Sequence, residues 1–216
     1  MGNTNTTDVF QARFGWNDDE TVVNNTIISS AGVVGLTIGS FLGGSLIANG
    51  RRKTAIIAQS IAIIGSLITM IATVPFLTIG RVLCGTSAGI ANVVFGKMIT
   101  ENMPEKTAAK YAMMHNAAIC IGFLAAFPLG AILPDPDDYE ANKEDEMWRV
   151  IFLAPAIIGV IVIFCVLFIF NLEPIAYCIT TGRDAEGKKH MLRVYRKKDP
   201  NTPESIEEIL DMQYSW

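Results

Sequence analysis

Five long apolar stretches dominate the pattern of hydrophobic and polar positions along the chain. Each is close to the ~20 residues that a helix needs to cross a ~30 Å hydrocarbon core. Because lipid offers the backbone no hydrogen-bond partners, stretches of this length and composition are expected to be helices. They lie at about residues 26–48, 54–74, 76–98, 112–133 and 150–172. The pattern predicts a five-helix transmembrane bundle at 26–172, between a polar segment at 1–25 and a polar tail at 173–216.

Buried helices of a soluble protein are the alternative to membrane spans. Soluble helices normally have a polar face, whereas these stretches have almost none. Half of the 216 residues are hydrophobic and only 18% are charged, which also favours an all-α integral membrane protein. The formal net charge of -4 argues against a nucleic-acid partner. The first partner that the sequence predicts is therefore the lipid bilayer.

Basic residues collect in alternate connections between the predicted spans. Arg51, Arg52 and Lys53 follow the first span, and the chain after the fifth span is rich in lysine and arginine. The connection at 134–149 lies on the other side and holds seven acidic residues against two basic ones. Because positive charge near a span end tends to stay cytoplasmic, we expect an external or lumenal N-terminus and a cytoplasmic C-terminus. Two short amphipathic helices are expected in the cytoplasmic tail, with a solvated tail as the alternative.

The cysteines and histidines give no sign of metal or enzyme chemistry. No Cys-x-x-Cys pair is present, and no histidine lies at metal-binding spacing from a cysteine. The sequence contains no activated nucleophile and no phosphate-binding loop. We therefore expect no enzyme, no cofactor and no metal, and we interpret the cysteines as small core residues. The four are Cys84, Cys120, Cys165 and Cys178.

Short motifs run through the spans in a single register. They are Gly50-Arg51-Arg52-Lys53; Gly80-Arg81-Val82-Leu83 with Gly85 and Gly89; Glu101 and Pro104; His115-Asn116 and Gly122; Trp148-Arg149; and Glu173 to Tyr177. Together they resemble the sugar-porter branch of the major facilitator superfamily, from about Phe14 to the end of the chain. The resemblance identifies the five spans with family helices two to six of the N-terminal half. Helix one and the C-terminal half lie outside the match.

The resemblance implies a substrate position on the fourth span. The family has a sugar-binding glutamine where this chain has Asn116, whose shorter side chain keeps both the acceptor and the donor group. Ile119 and Phe123, one and two turns further on, would be apolar neighbours in the same cavity. The alternative for Asn116 is an interhelical hydrogen bond without a ligand, which is common in membrane bundles.

The resemblance also implies a network of charges at the cytoplasmic helix ends. Its members here would be Arg51, Arg52, Glu101 and Glu173. Arg81 is ambiguous, since it could snorkel to the bilayer surface or take part in pairing or gating. The chain departs from the family at several charged positions, where it has alanine at 108, 109 and 176.

Two functions are compatible with these observations. The first is alternating-access transport of a sugar or related polyol, incomplete in this chain alone and requiring a second transporter half or another membrane protein. The second is a truncated or degenerate membrane subunit that does not transport and has a structural or regulatory role. The sequence leaves the substrate, the ion coupling and the host membrane open.

Overall fold

Each predicted apolar stretch carries a long helix in the computed structural model, which describes residues 4–102, 105–130, 147–170, 173–183 and 186–187. The long helices are α2 (Asp18–Leu46), α3 (Arg51–Thr69), α4 (Val74–Asn102), α5 (Glu105–Gly130) and α6 (Met147–Phe168). Two short helices, α1 (Thr4–Phe14) and α7 (Ile175–Thr180), lie near either end of the described chain. The described residues contain no strand, which confirms the prediction of an all-α fold.

Three helical segments within the described residues are long and apolar enough to cross a membrane, namely Asp18–Asn49, Val74–Asn102 and Trp148–Phe168. Large apolar side chains such as Phe41, which is 79% exposed, point outwards from them. Such a surface is unfavourable in water and suits the interior of a bilayer. By helix length and hydropathy, the candidate spans among the described residues are these three segments and do not include α3 or α5, so crossing by all five helices stays a prediction.

The predicted polar segment at 1–25 is largely helical. Helix α2 begins at Asp18, ahead of the apolar stretch, because its first turn has favourable capping. The Glu20 carboxylate accepts a hydrogen bond of 3.1 Å from the backbone N–H of Asn17. Asp18, Asp19 and Glu20 also place negative charge at the positive end of the helix dipole.

The turn between α3 and α4 lies earlier than the apolar pattern predicts. Helix α3 ends at Thr69, and α4 already begins at Val74. Pro75 belongs to the first turn of α4, where its missing N–H costs nothing. The backbone N–H of Leu77 donates to the Thr73 carbonyl at 2.9 Å and closes that turn.

Glycines let α2 and α4 pack backbone to backbone. A Cβ atom at Gly35 or Gly39 would overlap the carbonyl group of Val82 or Thr86, respectively. Since both residue numbers increase together along the contact, the two helices run parallel. Gly85 and Gly89 of α4 make the reciprocal approach to the backbone of α2. Small residues on facing sides of two helices allow this close approach, which is typical of helix packing in membranes.

Helix α3 runs antiparallel to α4 on another side of it. The Ser87 hydroxyl donates to the Ala58 carbonyl at 2.7 Å, and Gly65 lies against Cys84. Helix α6 packs on α3 in turn, with Gly159 beside Gln59 and Ile63. The helices are thus arranged so that α4 contacts α2, α3 and α5, while α3 also contacts α6.

Two apolar clusters mark the two ends of this bundle. The aromatic end is defined by Phe10, Trp148 and Phe152, with Ile28 and Leu77 beneath them. The cluster at the other end includes Ala55, Val94 and Val166. We call the latter the charged end, because Arg51, Arg52 and Glu101 lie beside it in the first turn of α3 and the last turn of α4.

The chain divides into two units, Met1–Asn171 and Leu172–Trp216. The described part of the second unit is α7 and the turn after it, where Gly182 has φ +70°. The backbone N–H of Arg183 donates to the Cys178 carbonyl at 2.8 Å and caps the helix. The tail helices predicted further on lie almost entirely outside the described residues.

Candidate functional site

Arg51 and Glu101 form a bidentate ion pair at the charged end. The Arg51 guanidinium donates from Nε to Oε2 at 2.9 Å and from Nη2 to Oε1 at 2.7 Å. The two side chains are only 15% and 12% exposed. Paired, parallel hydrogen bonds of this kind are among the strongest polar contacts in proteins. The pair therefore joins α3 firmly to α4.

The backbone places these two residues opposite each other. Gly50, with φ +122°, lets the chain turn sharply before α3 begins at Arg51. Because α3 and α4 are antiparallel, the start of α3 meets the end of α4. An arginine at a helix N-terminus and a glutamate near a C-terminus each oppose their own helix dipole. Pairing offsets both unfavourable charges.

Arg52 contacts a different helix. Its Nη2 donates to the Val166 carbonyl at 3.1 Å, near the C-terminal end of α6. Carbonyls in the last turn of a helix have no partner within the helix, so an arginine there satisfies one of them. Arg52 thereby attaches α6 to the same end of the bundle that Arg51 closes on α4.

Glu173, the fourth member of the predicted network, belongs to the second unit. Its backbone carbonyl accepts a weak hydrogen bond of 3.8 Å from the Cys178 thiol. Burial is the main cause that raises the pKa of this thiol, and the negative charges of Glu186 and Glu173 act in the same direction. Membership of Glu173 in the charge network stays a prediction.

Thr54 also contributes to the charged end, and this role was not predicted from the sequence. Its buried hydroxyl lies 2.7 Å from the Gly50 carbonyl and 2.8 Å from the Leu46 carbonyl. It therefore links the first turn of α3 to the last residue of α2. The sequence signal was a threonine four residues after the glycine that precedes α3. At this spacing the threonine hydroxyl can donate a hydrogen bond to the glycine carbonyl.

Arg81 lies at the aromatic end. Its guanidinium carbon is 4.7 Å from the centre of the Phe152 ring, a cation–π distance. The buried Nε atom of Arg81 has no hydrogen-bond partner in the described part of the chain. The structure thus gives this arginine an aromatic contact on α6, and its role in pairing or gating stays a prediction.

The predicted substrate positions share one face of α5. Asn116, Ile119 and Phe123 follow each other at helical spacing, and all three are exposed. Helix α5 makes its main described contacts with α4. A polar amide beside two apolar side chains on an open face is suited to a neutral ligand with hydroxyl groups and an apolar ring face. Their role as a binding site stays a prediction.

His115 makes the interhelical hydrogen bond that we considered for its neighbour Asn116. Its Nε2 lies 3.2 Å from Oδ1 of Asn92 on α4. Asn92 was not predicted from the sequence, although a carboxamide inside an apolar span is a signal for such a contact. Among the described residues no cluster of three His, Cys, Asp or Glu side chains could hold a metal ion.

The fold and the sequence are similar to those of known sugar carriers. The family profile described as "Sugar (and other) transporter" matches residues 1–216. Hexose transporter 1 of Plasmodium knowlesi is 26% identical over 208 residues, which cover 91% of this chain and 41% of that protein. Hexose transporter 1 of Plasmodium falciparum (isolate 3D7) is 29% identical over 204 residues, covering 89% and 40%.

A solved structure shares the fold. The proton:xylose symporter XylE, solved with 6-bromo-6-deoxy-D-glucose, aligns with a TM-score of 0.74 at 17% identity. The alignment covers 99% of this chain and 47% of the symporter. The chain thus spans about two fifths of the length of the hexose transporters and about half of the solved carrier. It is a multi-pass integral membrane protein, and it belongs to the sugar (and other) transporter family.

Proposed function

We propose that this chain forms one side of a carrier that moves a hexose or related polyol across a membrane. The observation that supports this most directly is the open face of α5 with Asn116, Ile119 and Phe123. The carboxamide of Asn116 can donate to and accept from sugar hydroxyls without carrying a charge. The relatives are hexose transporters by name, which favours the same class of substrate.

The cycle we propose is alternating access between two halves. Carriers of this kind bind near the middle of the membrane and rock one half against the other. Arg51 and Arg52 tie α3 to α4 and α6, so these helices would move as one body. Because the chain spans about two fifths of its relatives, the opposite wall of the cavity would come from a second half, on a longer polypeptide or on a partner chain.

We propose that the charged end faces the cytoplasm. Three consecutive basic residues, Arg51, Arg52 and Lys53, begin α3 there. The N-terminus would then be external or lumenal and the tail cytoplasmic. A cysteine-reactive probe that cannot cross membranes tests this, since a cysteine added after Trp216 should be labelled only once cells are permeabilised. Labelling of that cysteine in intact cells would contradict the orientation.

Uptake by proteoliposomes tests the transport proposal. This chain alone should give no saturable uptake of radiolabelled D-glucose, and co-reconstitution with the C-terminal half of a hexose transporter should produce it. Saturable uptake by the chain alone would overturn the need for a second half. As a control, the same C-terminal half should give uptake when it is combined with its own N-terminal half. If it does so but gives no uptake with this chain, a non-transporting subunit is favoured instead.

Two substitutions of Asn116 make the test specific for the binding face. Asn116→Ala removes both hydrogen-bonding groups of this side chain, and we expect the apparent affinity for sugar to fall about tenfold. Asn116→Gln restores the family side chain with its longer reach, so affinity should equal or exceed that of the original chain. An unchanged affinity in Asn116→Ala would remove this residue from the site.

A further inference from the structure

Helix α1 packs more tightly than its polar sequence leads one to expect. Its eleven residues include three threonines, an asparagine, an aspartate, a glutamine and an arginine. Nevertheless Val9, Phe10 and Ala12 are buried, with 0%, 4% and 4% exposure. An isolated helix of this length is not stable in water. Its fold must therefore come from the surface that these three side chains cover.

That surface is the aromatic end of the bundle. Phe10 meets Trp148 edge to face with ring centres 5.4 Å apart, and Phe152 at 6.0 Å. Both partners lie in the first two turns of α6, and the same cluster includes Ile28 of α2 and Leu77 of α4. One side chain of α1 thus contacts a cluster built from three long helices. Aromatic pairs at these distances stabilise beyond the area that they bury.

Phe152 has a second contact that connects α1 to Arg81. The Arg81 guanidinium lies over the Phe152 ring at 4.7 Å. A planar ring can keep a guanidinium in place only while the ring itself is fixed, and Phe10 is one of the side chains that fix it. The buried Nε atom of Arg81 has no hydrogen-bond partner among the described residues. The position of Arg81 therefore depends strongly on Phe152.

Polar side chains add further contacts between α1 and the rest of the bundle. Arg13 of α1 lies over the Trp148 ring at 5.7 Å, and Arg149 lies over the same ring at 5.4 Å. Gln11 donates to the Asp18 carboxylate at 3.0 Å and fixes α1 to the start of α2. Trp148 is fully buried among these contacts and the apolar cluster around it.

We propose that α1 covers and stabilises the aromatic end, and that Phe10 is a positioning residue which holds Arg81 through Phe152. Detachment of α1 would expose Trp148 and release the Arg81 guanidinium to bind another acceptor. All of these contacts lie within this chain, so they can be tested without a transport measurement.

The direct test is the rate at which phenylglyoxal modifies Arg81 in detergent, followed by peptide mapping. Phe10→Ala should raise this rate about two- to tenfold, which is the range expected for loss of one cation–π contact. Phe14→Ala is the matched control, because Phe14 has the same size and helix but makes its described ring contacts with Phe10 and Trp16. Arg51, paired at the other end, should react equally in all variants.

A second pair of measurements separates positioning from general loosening. Phe152→Leu should raise the Arg81 rate as much as Phe10→Ala, and the double variant should add nothing further, because both act on one contact. In a background with Trp16→Phe and Trp216→Phe, acrylamide should quench Trp148 more in Phe10→Ala than in Phe14→Ala. If Phe10→Ala loses helical circular dichroism, Phe10→Leu replaces it with the same expectations. Equal Arg81 rates in the Phe10 and Phe14 variants, or additive effects of Phe10 and Phe152, would overturn the proposal.

Discussion

Gly39 of α2 lies directly against the backbone of Thr86 on α4, and the hydrogen of the glycine occupies space that a side chain would need. Contacts of this kind continue along α2 at Gly35 and Gly43. Since lipid provides no hydrophobic driving force between spans, close backbone approach is a main source of helix association in membranes. The α2–α4 contact is therefore expected to be sensitive to a single methyl group.

Gly39→Ala should destabilise the bundle by about 1–3 kcal/mol, because the new methyl group would push α2 away from the Thr86 carbonyl. Thermal unfolding in detergent measures the loss. Gly44→Ala is the control on the same helix, since a Cβ there meets nothing within 4 Å. It should be neutral or stabilising by up to ~1 kcal/mol through helix propensity. Equal melting temperatures for the two variants would contradict the packing.

The Arg51–Glu101 pair gives a second prediction. Glu101→Gln or Arg51→Ala should lower the free energy of unfolding by about 1–3 kcal/mol, because each leaves a largely buried charge without its partner. Lys53→Ala, an exposed change in the same turn of α3, should have little effect.

Exchanging the two charges sharpens this test. The double variant Arg51→Glu with Glu101→Arg keeps the pair and places each charge favourably for its own helix dipole. It should recover most of the stability that either single change loses. Failure to recover would mean that the pair's fixed geometry, rather than its charges, carries the stabilisation.

The helices follow from the sequence because lipid leaves the backbone no alternative, and the apolar stretches are long enough to show it. The residues at which the helices begin and end are harder to predict from the sequence. Helix α2 begins at Asp18 through local capping in a polar segment. Pro75 lies in the first turn of α4, although the apolar pattern places it between two spans. Helix α1 was not predicted, because its buried side chains pack on the aromatic surface around Trp148, which is distant in the sequence.

The charged end was partly predictable. The resemblance implied one cytoplasmic charge network that includes Arg51 and Glu101. These two residues form an ion pair, while the cytoplasmic position and the role of the network stay predictions. The bond from Arg52 to the Val166 carbonyl could not be read from side-chain types, since every residue has a carbonyl and only the packing of α6 selects one. The contact of Asn92 was not predicted for a similar reason, because the sequence of α4 alone does not show which side of the helix contacts α5.

The Cys178 thiol gives a prediction about pH. Burial raises its folded-state pKa, so the neutral thiol is favoured by folding. The associated stability is fully present below the pKa of the unfolded thiol and is lost as pH rises through the raised folded value. Labelling of Cys178 by iodoacetamide should therefore set in at a higher pH in the folded protein than in the same chain in denaturant. Coincident pH profiles for the two states would contradict the burial of this thiol.

The hydrogen bond between His115 and Asn92 should couple α4 to α5 energetically. His115→Ala and Asn92→Ala should each lower stability, and the double variant should lose less than the sum by roughly 0.6 kcal/mol, and up to about 1.7 kcal/mol. Asn116→Ala, the adjacent exposed position, should leave the melting temperature unchanged. A coupling of zero would show that the bond contributes nothing to the packing of α5. A loss of stability in Asn116→Ala would show instead that Asn116 is structural, and would weaken its assignment to the sugar.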